Sequence, residues 1–406
     1  MTSELLNKKI NFILKLGKAL HMYGTNAPRL ESALTNVSQS IGVKAYIYST
    51  PTYLTISIDE GLDQVSRHIR VIPASVDLSK LSSADEIAKK VSLNELNISD
   101  AVNMLDDLEK SEEPYSLTLS ILAFGLVSLS LAIIFKGNYL DIIISFIMGI
   151  TLGTQRRLFT RSAGLDNIFE FSAGFLCAFI IYLLKNYETN INLNTIILAS
   201  LIIFIPGLSV TTSMVELAAK NLVSGTARFT GAMVDLIKIS FGVMFGLSFA
   251  KYLLNSPVIL PSNITGVSDY WLIAAVVLAS FSFMVIFKAW KKDFIWILLS
   301  GFMAIFSIKF FSGIVSQVTS VFIASLIVGL GSNLFARIKD RPAMIPLLPG
   351  IIFLVPGTIG FTGVGKLLEN DYSQGLGLAY QMCLIAITIV SGLFIANVIV
   401  NPKRSL

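Results

Sequence analysis

Two long apolar segments of this chain are each interrupted by a Pro-Gly pair, and the interruptions lie 150 residues apart, at Pro206-Gly207 and Pro356-Gly357 (356 − 206 = 150). The spacing continues past the break. Gly225 returns as Gly375 and Gly242 as Gly392, so the same glycines follow each proline at offsets of 225 − 206 = 19 and 242 − 206 = 36. Proline removes a backbone donor and clashes with the preceding helical turn. Matching interruptions in two halves of an apolar chain are the sequence mark of a transporter whose substrate site lies at the breaks. The chain therefore reads as a membrane transporter built from two related halves.

Composition agrees. Of 406 residues, 54% are hydrophobic and 14% charged, and the mean hydropathy is +0.73, which leaves too little polar surface to cover a soluble globule. The lipid bilayer is the expected solvent. Charge is unevenly placed: residues 1 to 115 carry 12 Lys+Arg and 15 Asp+Glu, and the rest carry 31 − 12 = 19 and 26 − 15 = 11. An acidic soluble region thus precedes a basic membrane region. No basic run with interleaved aromatics suggests a nucleic-acid partner. Cys177 and Cys383 lie inside apolar spans without histidine company, so neither a metal site nor any cofactor is expected. Lys8, Lys9, Lys15 and Lys18 interrupt the amino-terminal apolar pattern, which argues against a signal peptide and for a cytoplasmic amino terminus.

Residues 1 to 115 read as a small α+β domain. Leu6, Ile10, Ile13, Gly17 and Leu20 recur at helical spacing over residues 4 to 22. Asn26 is a candidate cap for a second helix with Pro28 in its first turn and Leu30, Leu34, Val37 and Ile41 on one face, ending at Gly42. Val43, Ala45 and Ile47, then Leu54, Ile56 and Ile58, alternate as strands, and Asp59-Glu60-Gly61 leads to a third over residues 65 to 72. Ser83 with Glu86 forms a capping-box pattern for a helix through Val91, and residues 98 to 109 form a last, acidic one. His21 and His68 are the only histidines, and no catalytic spacing involves them, so enzymatic activity is not expected. Arg67 and Arg70, odd-spaced on a strand, point to opposite sides.

Beyond residue 115 there are ten candidate spans, near 117–135, 139–155, 168–184, 194–208, 227–250, 271–287, 294–311, 314–335, 343–360 and 375–400; a hydrocarbon core about 30 Å thick needs about 20 residues for each. With ten crossings and a cytoplasmic amino terminus, thirteen Lys and Arg from Arg156 to Arg404 fall on inner connections, and five (Lys136, Lys185, Lys251, Lys309, Lys366) fall on outer ones. Five spans per half is an odd number, so the halves, 116–265 and 266–406, are expected to be inverted repeats. Asp141 and Gly149 open the second span as Asp293 and Gly301 open the seventh, with a shift of 293 − 141 = 152. Gly149/Gly153 and Gly242/Gly246 are GxxxG pairs suited to close helix packing.

Inside the membrane, Asp235 and Lys238 stand one helical turn apart about eight residues into a span, a depth at which ionisable residues are normally functional. Asp235, the only acid that looks deeply placed, is the expected proton carrier; its counterpart, Ile385, is apolar. Ser213 with Glu216 suggests a capped helix start after Pro206-Gly207, whose free amides would attract a substrate carboxylate. Glu216 and Lys220 form an i,i+4 pair of the kind usual on a solvated face. Gly360, Gly365 and Lys366 fit a phosphate-loop pattern, but Leu367 replaces the magnesium-binding hydroxyl, so nucleotide-driven transport is rejected.

Several stretches resemble the threonine/serine exporter family, in order along almost the whole chain. They are Gly24-Thr25-Asn26-Ala27-Pro28-Arg29-Leu30-Glu31, Leu81-Ser82, Asp106-Asp107-Leu108-Glu109-Lys110-Ser111, Pro206-Gly207, Ser224-Gly225-Thr226-Ala227-Arg228-Phe229, Leu348-Pro349-Gly350 and Val355-Pro356-Gly357. The resemblance implies an exporter of serine or threonine driven by proton antiport, multi-pass in the cell membrane, with both termini cytoplasmic. Similar proteins split over two chains are linked to dicarboxylate (succinate) export, which is the alternative; a membrane-anchored sensor or hydrolase is the third. Members often carry Glu three residues after the residue matching Arg228. Gly231 stands there in this chain, and Asp235, one turn further on the same face, is expected to replace it. A homo-oligomer is compatible with all three readings.

Overall fold

The structure, a computed structural model, describes residues 3–59, 64–72, 75–188, 190–254 and 266–401. The Glu60-Gly61 part of the expected turn and the inner charges Lys403 and Arg404 lie outside the described residues. The chain is a polytopic helical membrane protein with a small sheet at its amino-terminal end.

The amino-terminal region contains α1 (Ser3–Met22), α2 (Ala27–Ser40), β1 (Ala45–Thr50), β2 (Tyr53–Asp59), β3 (Gln64–Arg70), α3 (Leu78–Ser92) and α4 (Ile98–Lys110). The strands form one antiparallel sheet in the order β1-β2-β3. The helical periodicity of α1 buries Ile10, Ile13, Leu16 and Leu20 against Leu30 and Leu34 of α2 and the inward face of β2, Leu54, Ile56 and Ile58. Asn26 caps α2 as expected, its side chain accepting from the Arg29 amide at 3.3 Å. The expected Ser83–Glu86 capping box does not form. Asp77 caps α3 six residues earlier, accepting from the Lys80 amide at 2.9 Å, and Ser83 lies inside the helix with its hydroxyl on the Ser79 carbonyl.

His21 is buried, and its Nε2–H donates to the Thr50 carbonyl at 2.8 Å, while Nδ1 has no partner. Burial holds its pKa below the ordinary histidine value, outweighing the Thr50 carbonyl. A folded pKa below the unfolded one means that the neutral ring stabilises the fold above about pH 6.5, and that this contribution is lost as pH falls through the folded value. The melting temperature of the whole protein is therefore expected to fall between pH 7 and pH 5, and His21→Gln to make that fall shallower; an unchanged slope would remove His21 from the account.

The membrane region follows as α5 (Leu117–Ile134), α6 (Tyr139–Phe159), α7 (Ala163–Asp166), α8 (Phe169–Tyr187), α9 (Leu193–Leu201), α10 (Gly207–Ala218), α11 (Leu222–Leu254), α12 (Trp271–Ile286), α13 (Phe294–Phe311), α14 (Gln317–Lys339), α15 (Met344–Ile352), α16 (Gly357–Leu368) and α17 (Tyr372–Ile399). Among the described residues, eight helical segments are long and apolar enough to cross a membrane, α15 and α16 counting together as one. The other two expected spans coincide with α12, of 16 residues, and with the broken pair α9–α10.

The two halves repeat in geometry as well as in sequence. Pro206 and Pro356 have nearly the same backbone conformation, φ −74°, ψ 36° and φ −81°, ψ 29°. Before each break the same bonds close the helix end: Phe204 and Ile205 donate to the Leu201 carbonyl, and Leu354 and Val355 donate to that of Ile351. Lys136 and Lys288, 152 residues apart, both end a helix with positive φ, as do Lys220 and Asn370, 150 apart. A Cβ at Gly225 would meet Leu217, and one at Gly375 would meet the equivalent Leu367. Gly242 and Gly246 admit the backbone of α8 at Phe171 and Phe175, and Gly392 admits α14 at Phe322 and Ser325.

Equivalent helices run in opposite directions. The ends of α10, α12 and α14 face the amino-terminal region, since Glu216 accepts from the Ala27 amide, the Phe287 carbonyl accepts from the Leu78 amide, and Asp340 pairs with Lys89. On the far side, Asp269, just before α12, binds both Lys136 after α5 and Lys309 near the end of α13. α5 therefore runs away from the sheet and its counterpart α12 runs toward it, while α9–α10 runs toward it and α15–α16 away.

Candidate functional site

The two Pro-Gly breaks meet in the middle of the bundle. A Cβ on Gly207 would collide with a Val355 methyl and lie 3.0 Å from the Gly357 Cα; one on Gly357 would lie 3.1 Å from an Ile205 methyl. Only glycine allows these backbones to touch. Gly207→Ala is therefore expected to destabilise the protein by about 1–3 kcal/mol through overpacking, read as a lowered melting midpoint. Gly231→Ala is the control: nothing lies within 4 Å of a Cβ there, and removing a mid-helix glycine is expected to stabilise by roughly 0.5–1 kcal/mol.

Two cavities flank the crossing, and Leu208 lines both. One, of about 230 Å³, is lined by residues 202 to 205, Gly207, Val355 and Gly357 from the breaks themselves, with Phe124, Arg156 and Phe287 around them. The other, of about 320 Å³, lies toward the amino-terminal region between α2, α10, α15 and α17. Both lie between the two halves rather than within one.

Of the expected site residues, Pro206, Gly207, Pro356 and Gly357 come together at the crossing, and Gly225, Gly242, Gly375 and Gly392 pack helices. Ser213 does not cap a helix. α10 begins six residues earlier at Gly207, and the buried Ser213 hydroxyl donates to the Val210 carbonyl at 2.6 Å inside it. The Glu216–Lys220 pair is not formed as a solvated face. Glu216 is fully buried and accepts from Arg228 through both oxygens at 3.1 Å, from the Ser224 hydroxyl at 3.0 Å and from the Ala27 amide at 3.1 Å. Lys220 lies beyond the end of α10 with φ 66°, so the i,i+4 geometry is lost. A carboxylate with a bidentate guanidinium and two further donors is a satisfied buried ion, and it ties α2, α10 and α11 together. Beside it, Glu31 of α2 accepts from the Asn221 side chain and the Ser49 amide, both at 2.9 Å, while burial pushes its carboxyl pKa up.

Asp235 and Lys238 sit on α11 next to Glu170 in the first turn of α8. The Lys238 ammonium lies 3.1 Å from Glu170 and 3.4 Å from Asp235. Asp235 lies 235 − 222 = 13 residues, about 20 Å, from the start of α11, and its neighbour Leu236 faces Gly360 in α16. It is not the only acid placed deep in the bundle. Glu170 joins it, and Glu216 and Asp141 are fully buried. Sequence missed Glu170 because it stands at a span's edge; its signal was the excess of one carboxylate once α8 and α11 pack. Arg156 completes the polar rim, bonded to Asp166 at 2.6 Å and seated over the Phe169 ring. The phosphate-loop pattern is helical: Gly360, Gly365 and Lys366 all lie inside α16, where the backbone cannot cradle a phosphate. Among the described residues, no cluster of His, Cys, Asp or Glu could hold a metal ion.

Arg29, at the start of α2, reaches the larger cavity, and among the described residues no side chain or carbonyl is bonded to its guanidinium. Sequence placed it in a family motif without assigning it a contact.

Comparison with known proteins matches two family models in tandem: "Putative threonine/serine exporter" over residues 11–250 and "Threonine/Serine exporter, ThrE" over residues 272–399. Among relatives, the pheromone-regulated membrane protein 10 of Candida albicans is 28% identical over 96% of this chain and 38% of its own length. That of Debaryomyces hansenii is 26% identical over 98% and 42%, and an uncharacterized protein of Schizosaccharomyces pombe is 24% identical over 96% and 55%. The chain spans about 38 to 55% of the length of these relatives. No solved structure matches. With paired Pro-Gly breaks at the crossing of two related halves and both family models matched in order, the chain belongs to the threonine/serine exporter family.

Proposed function

We propose that the protein is a secondary active exporter of serine or threonine that works by proton antiport in the cell membrane. In this reading, residues 1–115 are a cytoplasmic domain, and 116–265 and 266–406 are inverted-topology repeats that alternate access to a site at the Pro-Gly crossing. The observation that carries the reading is the contact of the two breaks between two cavities, since a discontinuous helix from each half is the usual frame of a central substrate site. The trio Glu170, Lys238 and Asp235 supports proton coupling: two carboxylates share one ammonium inside the bundle, and a proton taken up by one of them would restore balance.

The dicarboxylate alternative would be favoured by Arg228 and Lys238 both facing the cavity. Arg228 is held by both oxygens of Glu216, and Lys238 by Glu170 and Asp235, so neither is free for a second carboxylate. The sensor or hydrolase alternative finds its histidines apart, His21 bonded to Thr50 and His68 stacked on Tyr53. Counterflow in proteoliposomes with labelled serine, threonine and succinate, with and without a pH gradient, tests the reading. Gradient-stimulated serine or threonine flux is expected; flux of succinate alone would replace the substrate class.

A further inference from the structure

The larger cavity has a single charged residue in its lining, and that residue comes from outside the membrane helices. Arg29 of α2 lies there with Asn26, Thr211, Thr212, Asn397 and Asn401, over an apolar floor from α10, α15 and α17; the lining contains no Asp or Glu. The residue is half-buried, and its guanidinium, among the described residues, has neither a carboxylate nor a carbonyl to receive its donors. Three arginines of the bundle differ: Arg228 is paired with Glu216, Arg156 with Asp166 and Arg341 with Asp293. Five fixed N–H donors without a protein acceptor, in a cavity otherwise lined by amides, hydroxyls and apolar side chains, are complementary to one small anion with a short organic tail.

We propose that Arg29 binds the carboxylate of a small monocarboxylate or amino acid in this cavity, so that the amino-terminal region supplies the anion-recognising residue of a site otherwise walled by both membrane halves. The planar guanidinium fork fits a carboxylate in bidentate fashion, which lysine cannot reproduce. With no acid in the lining, recognition at this cavity is of the carboxylate and not of an amine, and one cation matches one carboxylate. The proposal rests on the exporter reading for the ligand's being cargo, but not for the chemistry of the site.

The test uses the full chain in detergent, with calorimetric binding of L-threonine, propionate and 1-amino-2-propanol, the last being threonine without its carboxylate. Wild type is expected to bind threonine saturably and the decarboxylated analogue about 10- to 100-fold more weakly, the range for losing hydrogen bonds to a charged group. Arg29→Gln is expected to weaken threonine and propionate binding by a similar factor, with Arg29→Lys between the two. Equal binding of threonine and the analogue by wild type, a comparison that needs no variant, would overturn the proposal, as would no binding of either carboxylate or an Arg29→Gln affinity within about twofold of wild type. Arg29-dependent binding without amino-acid flux in proteoliposomes would leave the site standing and remove the exporter reading. Flux with Arg29-independent binding would do the reverse.

Discussion

Asp235→Asn protein in proteoliposomes is expected to lose pH-gradient-stimulated serine or threonine flux down to the level of protein-free vesicles, while still exchanging labelled for unlabelled substrate at equal pH. The geometry supplies the reason. Lys238 lies between Glu170 at 3.1 Å and Asp235 at 3.4 Å, so one ammonium serves two carboxylates. One ammonium cannot neutralise both carboxylates, and Asp235, the more distant of the two from it, is the one proposed to carry the proton. Asparagine keeps the shape and removes the site, leaving Lys238 neutralised by Glu170 alone. Gradient-driven flux equal to wild type would reduce Asp235 to a helix-holding ion pair.

The largest loss of stability is expected at Glu216. Glu216→Ala leaves the Arg228 guanidinium half-buried without its carboxylate and strips an acceptor from Ser224 and Ala27. Breaking a buried pair from one side costs about 3–5 kcal/mol, whereas replacing both partners by apolar groups of similar size is often neutral. Glu216→Ala should therefore lower the melting midpoint in detergent sharply, and Glu216→Leu with Arg228→Met should recover most of it. If the double variant is as unstable as the single, the contact of Glu216 with the Ala27 amide, and not the ion pair, is what matters there.

What could be read from sequence was whatever depends on period or on backbone. The alternation of Leu54, Ile56 and Ile58 gave a strand, the spacing of Ile10, Ile13 and Leu20 gave a helix face, and Pro206 and Pro356 gave breaks, because proline acts through its own ring wherever it stands. The glycines at 225, 242, 375 and 392 could be paired by arithmetic, though not the partners that need them. Side-chain pairing was less legible. Glu216 looked like the partner of Lys220 by local spacing, but a left-handed residue at 220 ends the helix and Arg228 returns along the next one. Glu170 and Asp235 are 65 residues apart (235 − 170) and become neighbours only through the tight packing that Gly174, Gly242 and Gly246 allow. Caps failed where the helix starts earlier than the motif: Asp77 caps α3 six residues before Ser83, and α10 begins at Gly207, six residues before Ser213.

The amino-terminal region holds both halves at once. It bonds to the first through Glu216 and Asn221, and to the second through Phe287, Lys288, Asp340 and Arg341. In the proposed alternating-access reading, two matched halves left to themselves would have conformations open to either side, related by exchange of the halves' shapes and of nearly equal free energy. A tie across one face breaks that equality, because every rocking motion that parts the halves on that side must stretch or release it. In that reading the bias is a mechanical rectifier: it would set which way the carrier rests, and adjusting a few of these hydrogen bonds would tune that resting direction.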